Sequence, residues 1–377
     1  MEAVLNMDLK YINCPLCGSS DYIEIYRQKA EWLNIEHTNV VCKNCAFIFR
    51  NPTMDWKEYL QLYKDSNNLL SSSQYVNYEE GYRSNKLREE RLKFLFDNIS
   101  FNRGTILDIG GGDGFLLDGL DSTLWNKVMT EPGDLSKIAN GKNIKVFKQG
   151  IEEFDYPEKF DIIMCVSVLE HLLNPRIVIK KISKSLADDG LLFLEVPNSL
   201  TPSIKISEFY SFEHVCGFTL NSLQFLLNDE GFKVIEIDDN ISIPNLRIVA
   251  KRDYQLNDTP PKSDYSKIID VVNGYKLRRT AFENQIKEKL KFVFDKKYHN
   301  KIAVYGAGNH TIQLLNIDNF LNNISCFLDS DTHKQGTHFL GKPVLAPDQL
   351  EFLDIKVVVL SSGDYQDEMY KRIKLQY

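Results

Sequence analysis

The stretch "TILDIGGGDGFLL", residues 105–117, decides the fold class. Thr105 to Ile109 is an apolar run interrupted by one carboxylate, Asp108, the pattern of a strand buried on both faces of a parallel sheet. Gly110, Gly112 and Gly114 follow as G-x-G-x-G, and "FLLDGL" continues with helical spacing. A strand, a glycine turn and a helix in that order open a doubly wound α/β unit. Glycines in such a turn let the backbone approach a ligand closely at the end of the first strand.

The chain on either side agrees. "KVMTEP", 127–132, reads as the second strand and ends in Glu131, where an acidic side chain can accept hydrogen bonds from both ribose hydroxyls of an adenosine. "KVFKQG" leads into "GIEEFD", 150–155, which lies where an adenine edge would be contacted. "FDIIMCVSVLEHLLNP", 160–175, and "GLLFLEVPN", 190–198, supply two more strands, and Lys233–Asp238 with Asn245–Lys251 reads as an antiparallel pair closing the sheet. Alternating strands and helices with a terminal hairpin predict a seven-strand α/β domain. The charges at the turn discriminate between ligands. Asp108 would repel the pyrophosphate of a dinucleotide but would welcome an ammonium group. S-adenosylmethionine carries an ammonium and a sulfonium and no phosphate, so it is the favoured cofactor.

Upstream stand "CPLCG", 14–18, and "VCKNCAF", 41–47. Each CxxC has the spacing that lets two thiolates share one tetrahedral zinc, so Cys14, Cys17, Cys42 and Cys45 are the expected ligands. Four thiolates complete the tetrahedron and leave no open position for catalysis. The metal would stand in for a core in a piece too small to have one. Residues 53–100 read as largely helical, with Tyr75, Tyr78 and Tyr82 on one helix face.

Downstream, "QLNDTPPKSD" reads as a linker, followed by amphipathic helix. "KIAVYGAGNHTIQLLN", 301–316, starts a second strand–turn–helix unit. Its fingerprint is incomplete, because Thr311 stands at the third glycine position; Asp329 ends the next strand, and His310 lies beside the turn. The expected organisation is a zinc-binding module over 1–60, a Rossmann-like domain over 61–255 and a C-terminal Rossmann-like α/β domain over 256–377. A helical connection is expected over 265–297.

With 377 residues, 43% of them apolar, the chain has material for two or three cores. A net charge of −7 and no long Lys or Arg run argue against nucleic acid as a partner. No apolar run reaches the roughly 18 residues needed to span a bilayer. The N-terminus lacks a basic region followed by an apolar core. Seven cysteines, four of them in two close pairs, suit a reducing compartment, and a cytoplasmic location is expected.

"LDIGGGDG", "TEPG", "VLEHLLNP" and "LEVPN" fall in the order and spacing of class I S-adenosylmethionine-dependent methyltransferases, which the chain resembles. With the cysteine pairs, "FRNP" and a trailing α/β unit, it looks like the zinc-containing sugar C-methyltransferases, which act on nucleotide-linked 4-keto-deoxysugars. That resemblance implies Asp108, Gly110, Gly112 and Glu131 around the cofactor, with Ile151 and Glu152 near adenine. Gly114, Pro132, Val166 and His171 join this set, and Glu170 and His171 face the methyl-transfer cavity. It also implies a role for the C-terminal region in holding a nucleotide sugar.

The family carries a Glu–His pair after the fifth strand, here Glu213 and His214 in "YSFEHVCGFT". It commonly has a Tyr two residues before the Glu; this chain has Ser211 there and Tyr210 one step earlier. His214 is the expected base for an enolising step, with Glu213, Tyr210, Tyr75 and Tyr78 as candidate helpers. An oxygen or nitrogen methyltransferase acting on a sugar or another small molecule remains open, as does a non-catalytic assembly protein that binds zinc and the cofactor. Monomer and homo-oligomer are equally compatible with the sequence.

Overall fold

The computed structural model describes residues 8–376 except 31–34, 71–83, 156, 204–208, 239–242, 254–261, 309–310, 312–313, 315–319, 333 and 363–364. Tyr75, Tyr78, Tyr82 and His310 therefore lie outside the described residues.

Strands β1 (Tyr22–Ala30), β2 (Ile35–Cys42) and β3 (Ile48–Arg50) form an antiparallel sheet beside the four cysteines. Helices α1 (Trp56–Leu70) and α2 (Asn85–Asp97) follow; α2 begins where the Ser84 hydroxyl accepts from the Leu87 amide. The glycine-turn stretch is β4 (Gly104–Ile109) running into α3 (Phe115–Asp118), and after it come β5 (Trp125–Thr130), α4 (Ser136–Ala139), β6 (Lys145–Phe147) and β7 (Phe160–Val166). Next are α5 (Pro175–Ser185), β8 (Leu186–Pro197), β9 (Cys216–Gly217), α6 (Leu220–Asp229), β10 (Phe232–Asp238) and β11 (Asn245–Arg252).

The central sheet runs β10-β11-β8-β7-β4-β5-β6. Strands β8, β7, β4, β5 and β6 are parallel, and β11 and β10 add the expected antiparallel pair. The continuous apolar runs are explained by burial on both faces. Ile106, Ile162, Met164 and Phe193 pack into one layer, while Leu107, Ile109, Ile163, Cys165, Leu192 and Leu194 pack into the other. This is the two-residue period of a pleated strand. In "LLNP", the Asn174 side chain accepts from the Ile177 amide and Pro175 occupies the first helical turn of α5, where a missing N–H costs nothing.

One strand crosses between modules. β9 pairs with β3 (Ile48 opposite Gly217, Phe49 opposite Cys216), so the cysteine module's sheet, β1-β2-β3-β9, is finished by a segment from the central domain. The sequence shows no sign of this, because two residues of strand carry no periodicity. The long helix α7 (Tyr265–Lys289) packs Ile268, Val272 and Tyr275 against Ile25 of β1 and Tyr210. Further along the chain, Ile286, Leu290 and Val293 join the C-terminal core.

That C-terminal sheet contains β12 (Ile302–Tyr305), β13 (Cys326–Leu328), β14 (His338–Phe339), β15 (Lys342–Leu345) and β16 (Val357–Leu360), in the order β14-β15-β13-β12-β16. All pairs are parallel except β14 with β15. Among the described residues no helix is long and apolar enough to cross a membrane.

Candidate active site and cysteine cluster

The cluster forms locally. The amide of Gly18 donates to the Cys14 carbonyl (2.8 Å) and that of Ala46 to the Cys42 carbonyl (2.9 Å). Gly18 and Ala46 have φ of +72° and +57°. These two tight turns bring Cys14 Sγ to 3.6 Å from Cys45 Sγ and Cys17 Sγ to 3.5 Å from Cys42 Sγ, and all four sulfurs lie within 4.8 Å of one another. A tetrahedron with bonds of about 2.3 Å has edges of about 3.8 Å, so the donor set fits a zinc-sized thiophilic ion.

At the carboxyl ends of β4, β5 and β7 lies a solvent-open cleft of about 670 Å³. Its lining includes Gly110, Glu131, Pro132, Ile151, Glu152 and His171, six of the residues expected around a cofactor. Gly110, Gly112 and Gly114 all have positive φ (+66°, +60°, +77°), which only glycine adopts without strain. A Cβ on Gly110 would sit 2.6 Å from Val168 Cγ2. Glu131 is held by two backbone amides, Gly112 to Oε2 (3.1 Å) and Gly133 to Oε1 (2.7 Å).

Asp108, Gly112, Gly114 and Val166 stand behind the wall and shape it, since none lines the cleft itself. Asp108 is buried, and desolvation pushes its carboxyl up to about 8, with Glu131 and Asp113 adding to the rise and Arg91 opposing it. No ion pair to Asp108 is found among the described residues, so the site has an unbalanced carboxyl for a cationic ligand group. Ser167, at the end of β7, lines the cleft with a φ of +54°, an uncommon conformation for a non-glycine residue. Beneath it, Glu195 binds Arg91 (2.6 Å), Arg247 (2.7 Å) and Asn245 (3.1 Å). Burial works to raise the Glu195 carboxyl, but the guanidiniums win and hold it below its ordinary value.

The stretch 209–217 backs this cleft through Tyr59 and His171 without lining it; Phe209, Tyr210, His214, Cys216 and Gly217 border a separate, smaller void. Four side chains from distant segments clamp its backbone. His37 Nε2 meets the Tyr210 carbonyl (3.0 Å), Arg50 donates to the Ser211 carbonyl (2.9 Å), and the Tyr59 hydroxyl donates to the Glu213 carbonyl (2.8 Å). His171 Nδ1 meets the same Glu213 carbonyl at 2.8 Å. Ser211, where the resemblance leads one to expect Tyr, turns its hydroxyl to the His214 amide (3.2 Å) and closes the local turn.

His214 Nδ1 lies 3.0 Å from the Phe209 carbonyl. A carbonyl can only accept, so in both His171 and His214 the proton sits on Nδ1 and Nε2 keeps its lone pair. The two rings are neighbours, with centroids 5.0 Å apart. Burial depresses both: His171 falls to about 3, helped by His214 beside it, and His214 also titrates below the ordinary histidine value. Both imidazoles are therefore neutral acceptors at neutral pH.

Tyr210 is oriented away from this pair. Its ring packs against Tyr26 (5.0 Å) and Tyr275 (5.3 Å), and burial pushes its phenol well above the usual range. Among the described residues Tyr63 of α1 has its ring 5.3 Å from that of His171, and Tyr59 of the same helix bonds the Glu213 carbonyl that also holds His171. Trp56, Tyr59, Leu60 and Tyr63 all line the cleft. Sequence reading passed over them, although their i, i+3, i+4, i+7 spacing is a usable sign of one helix face.

Residues 78–237 match the family model described as "Methyltransferase domain", and residues 298–376 match "C2185-like, N-terminal". The chain thus carries a methyltransferase domain followed by a C2185-like domain. It is similar to ubiquinone biosynthesis O-methyltransferase of Glaesserella parasuis serovar 5 (strain SH0165), 34% identical over 122 residues, covering 29% of this chain and 52% of that protein. It is also similar to (S)-coclaurine N-methyltransferase of Papaver somniferum, 28% identical over 151 residues, covering 37% and 42% respectively. The chain spans about half the length of these two relatives. Among solved structures it resembles the Burkholderia thailandensis 1,6-didemethyltoxoflavin-N1-methyltransferase with bound 1,6-didemethyltoxoflavin and S-adenosylhomocysteine. There the TM-score is 0.43 and the identity 15%, over 57% of this chain and 96% of that one.

Proposed function

We propose that the chain transfers a methyl group from S-adenosylmethionine to a small molecule, and that the acceptor is a nucleotide-linked 4-keto-deoxysugar methylated at carbon. The observation that carries this reading is the pair of neutral imidazoles, His171 and His214, each with its Nε2 left bare, beside a cleft formed by the glycine turn. The residues fit the cofactor: Glu131 would take its ribose hydroxyls, Ile151 and Glu152 its adenine side, and Asp108 would balance its ammonium group across the turn. When bound, it supplies an electrophilic methyl on a sulfonium.

The acceptor must lose a proton before its carbon can attack that methyl. A ketone acidifies the neighbouring C–H, and His214 Nε2 removes the proton. A positioned base of this kind contributes roughly 10²–10⁴-fold. His214 holds that lone pair in place through its Nδ1 bond to Phe209. The Tyr63 hydroxyl, on the α1 face beside His171, would donate to the enolate oxygen, where charge develops. Glu213 acts mainly through its carbonyl, which anchors His171 and Tyr59. In this reading the four cysteines hold a structural zinc, which keeps β3 and Arg50 against the 209–217 stretch.

The test is an assay in D₂O with S-adenosylmethionine and a panel of nucleotide 4-keto-deoxysugars, read by mass spectrometry. A carbon-bound methyl, with deuterium entering unmethylated substrate, is expected. The His214→Asn variant should lose both signals and still bind S-adenosylhomocysteine; wild-type turnover in that variant would remove His214 from the mechanism. The two curated relatives are named for oxygen and nitrogen methylation, so a methyl on either atom would move this chain to that chemistry.

A further inference from the structure

Proton abstraction by His214 leaves one buried side chain without a task. Glu170 is 2% exposed, its Oε2 has no hydrogen-bond partner, and its Oε1 lies 3.9 Å from His171 Nε2. One donor atom each from Glu170, His171 and His214 lies within 4.8 Å of the other two. Both imidazoles have Nδ1 fixed on a backbone carbonyl (2.8 and 3.0 Å) and Nε2 bare. An imidazole oriented this way by a carbonyl is the usual state of a histidine that binds a metal through its other nitrogen. A carboxylate and two such nitrogens, converging beside an open cleft, make a facial set of three donors with the remaining positions free.

We propose that Glu170, His171 and His214 form a second metal site, separate from the cysteine cluster, for a divalent ion of the zinc, cobalt(II) or nickel(II) class. Two imidazoles among three donors favour these ions over magnesium or calcium, which prefer all-oxygen sets. Donor bonds of about 2.0–2.2 Å require the three groups to close inward by roughly an ångström on binding. Occupation uses the His214 Nε2 lone pair, so a bound ion silences the base. The binding claim stands on geometry alone; the silencing claim rests on the proposed role of His214.

The experiment uses full-length protein purified with its cysteine site loaded with zinc, titrated with Co²⁺ and followed by visible absorption. The expected result is one further equivalent showing d–d bands without the intense sulfur-to-cobalt charge transfer that four thiolates would give. Glu170→Gln and His171→Asn should each weaken that binding about tenfold or more, with circular dichroism and denaturant unfolding reporting that each variant is folded. No further equivalent at millimolar Co²⁺, or unchanged affinity in both folded variants, would overturn the site. Zinc added at the same occupancy should stop deuterium exchange in the wild type and require about tenfold more metal in Glu170→Gln. Metal binding with exchange undiminished would overturn the silencing and count against His214 as base. If no substrate on the panel is methylated, the cobalt titration still decides whether the site exists.

Discussion

Two glycine turns in this chain occupy the same place in their sheets and differ in what fills them. The first follows β4: its glycines leave space, Glu131 from the next strand sits on the Gly112 amide, and Asp108 behind it lacks a basic partner among the described residues. The second follows β12. There Asp329 from the next strand accepts from the Ala307 amide (2.9 Å), and the buried Lys334 donates both to Asp329 (3.0 Å) and to the Ala307 carbonyl (2.7 Å). Thr311, at the missing third glycine position, donates to the Gly306 carbonyl and shares a further hydrogen bond with the Ser361 hydroxyl. One turn therefore keeps behind its cleft a carboxyl with no ion-pair partner among the described residues, which a cationic ligand would ionise, and the other is latched by its own salt bridge. A strand–glycine–helix pattern is a scaffold for a ligand only where the protein has not already used the amides and charges itself.

The strongest way to break this comparison is to unlatch the second turn. Lys334→Met leaves Asp329 largely buried and unpaired, and should cost roughly 3 kcal/mol, the lower end for a broken buried pair because Asp329 keeps some exposure. Denaturant unfolding measures it. The double variant Asp329→Leu with Lys334→Met should recover most of that stability, and cofactor affinity should stay within twofold throughout.

Next in size is Gly110→Ala. A Cβ at φ +66° and 2.6 Å from Val168 must displace the cleft wall, so S-adenosylhomocysteine affinity should fall roughly 100-fold, or about 2.7 kcal/mol, by calorimetry. The matching change, Gly306→Ala, puts a Cβ 2.4 Å from the Ser361 carbonyl oxygen. It should lower C-terminal stability and leave that affinity unchanged. Equal affinity losses from both would mean that the two turns share the ligand.

A smaller effect concerns pH. Burial first, then Glu131 and Asp113, hold Asp108 up to about 8, so below that pH the free protein carries a proton there. A ligand ammonium favours the ionised form, so binding releases the proton. Affinity for S-adenosylhomocysteine should therefore rise with pH between 6 and 8, by at most about tenfold per unit, and level off above 8. Asp108→Asn should flatten the profile; an equally steep profile in that variant would assign the proton elsewhere.

The smallest change is Tyr59→Phe, which removes one neutral hydrogen bond to the Glu213 carbonyl. It should cost about 1 kcal/mol and slow methyl transfer several-fold without altering cofactor affinity.

Sequence and structure diverge most in the stretch that carries His214. Its residues were legible, because "FEHV" sits among aromatics after the fifth strand. Its supports were not: Arg50 and Ser211 are 161 positions apart in contact, Tyr59 and Glu213 154, and His37 and Tyr210 173. Nothing in local periodicity records such pairs. Tyr210 illustrates the same limit. Its neighbours in sequence suggested the site, yet its ring is claimed by Tyr26 of β1 and Tyr275 of α7.

What the sequence alone determined is what short-range chemistry enforces. The glycines at positive φ, the alternating burial of β4, β7 and β8, and the two cysteine turns each arise within a dozen residues. Tertiary structure decided which tyrosines face the imidazoles, which nitrogen of each imidazole is bare, and that β9 finishes the cysteine module's sheet. The first and last of these depend on segments meeting across more than a hundred positions, as Tyr63 meets His171 and β9 meets β3, and the imidazoles are fixed by carbonyls 5 and 42 positions away whose placement the sequence pattern does not record; such contacts exist only once the layers have packed.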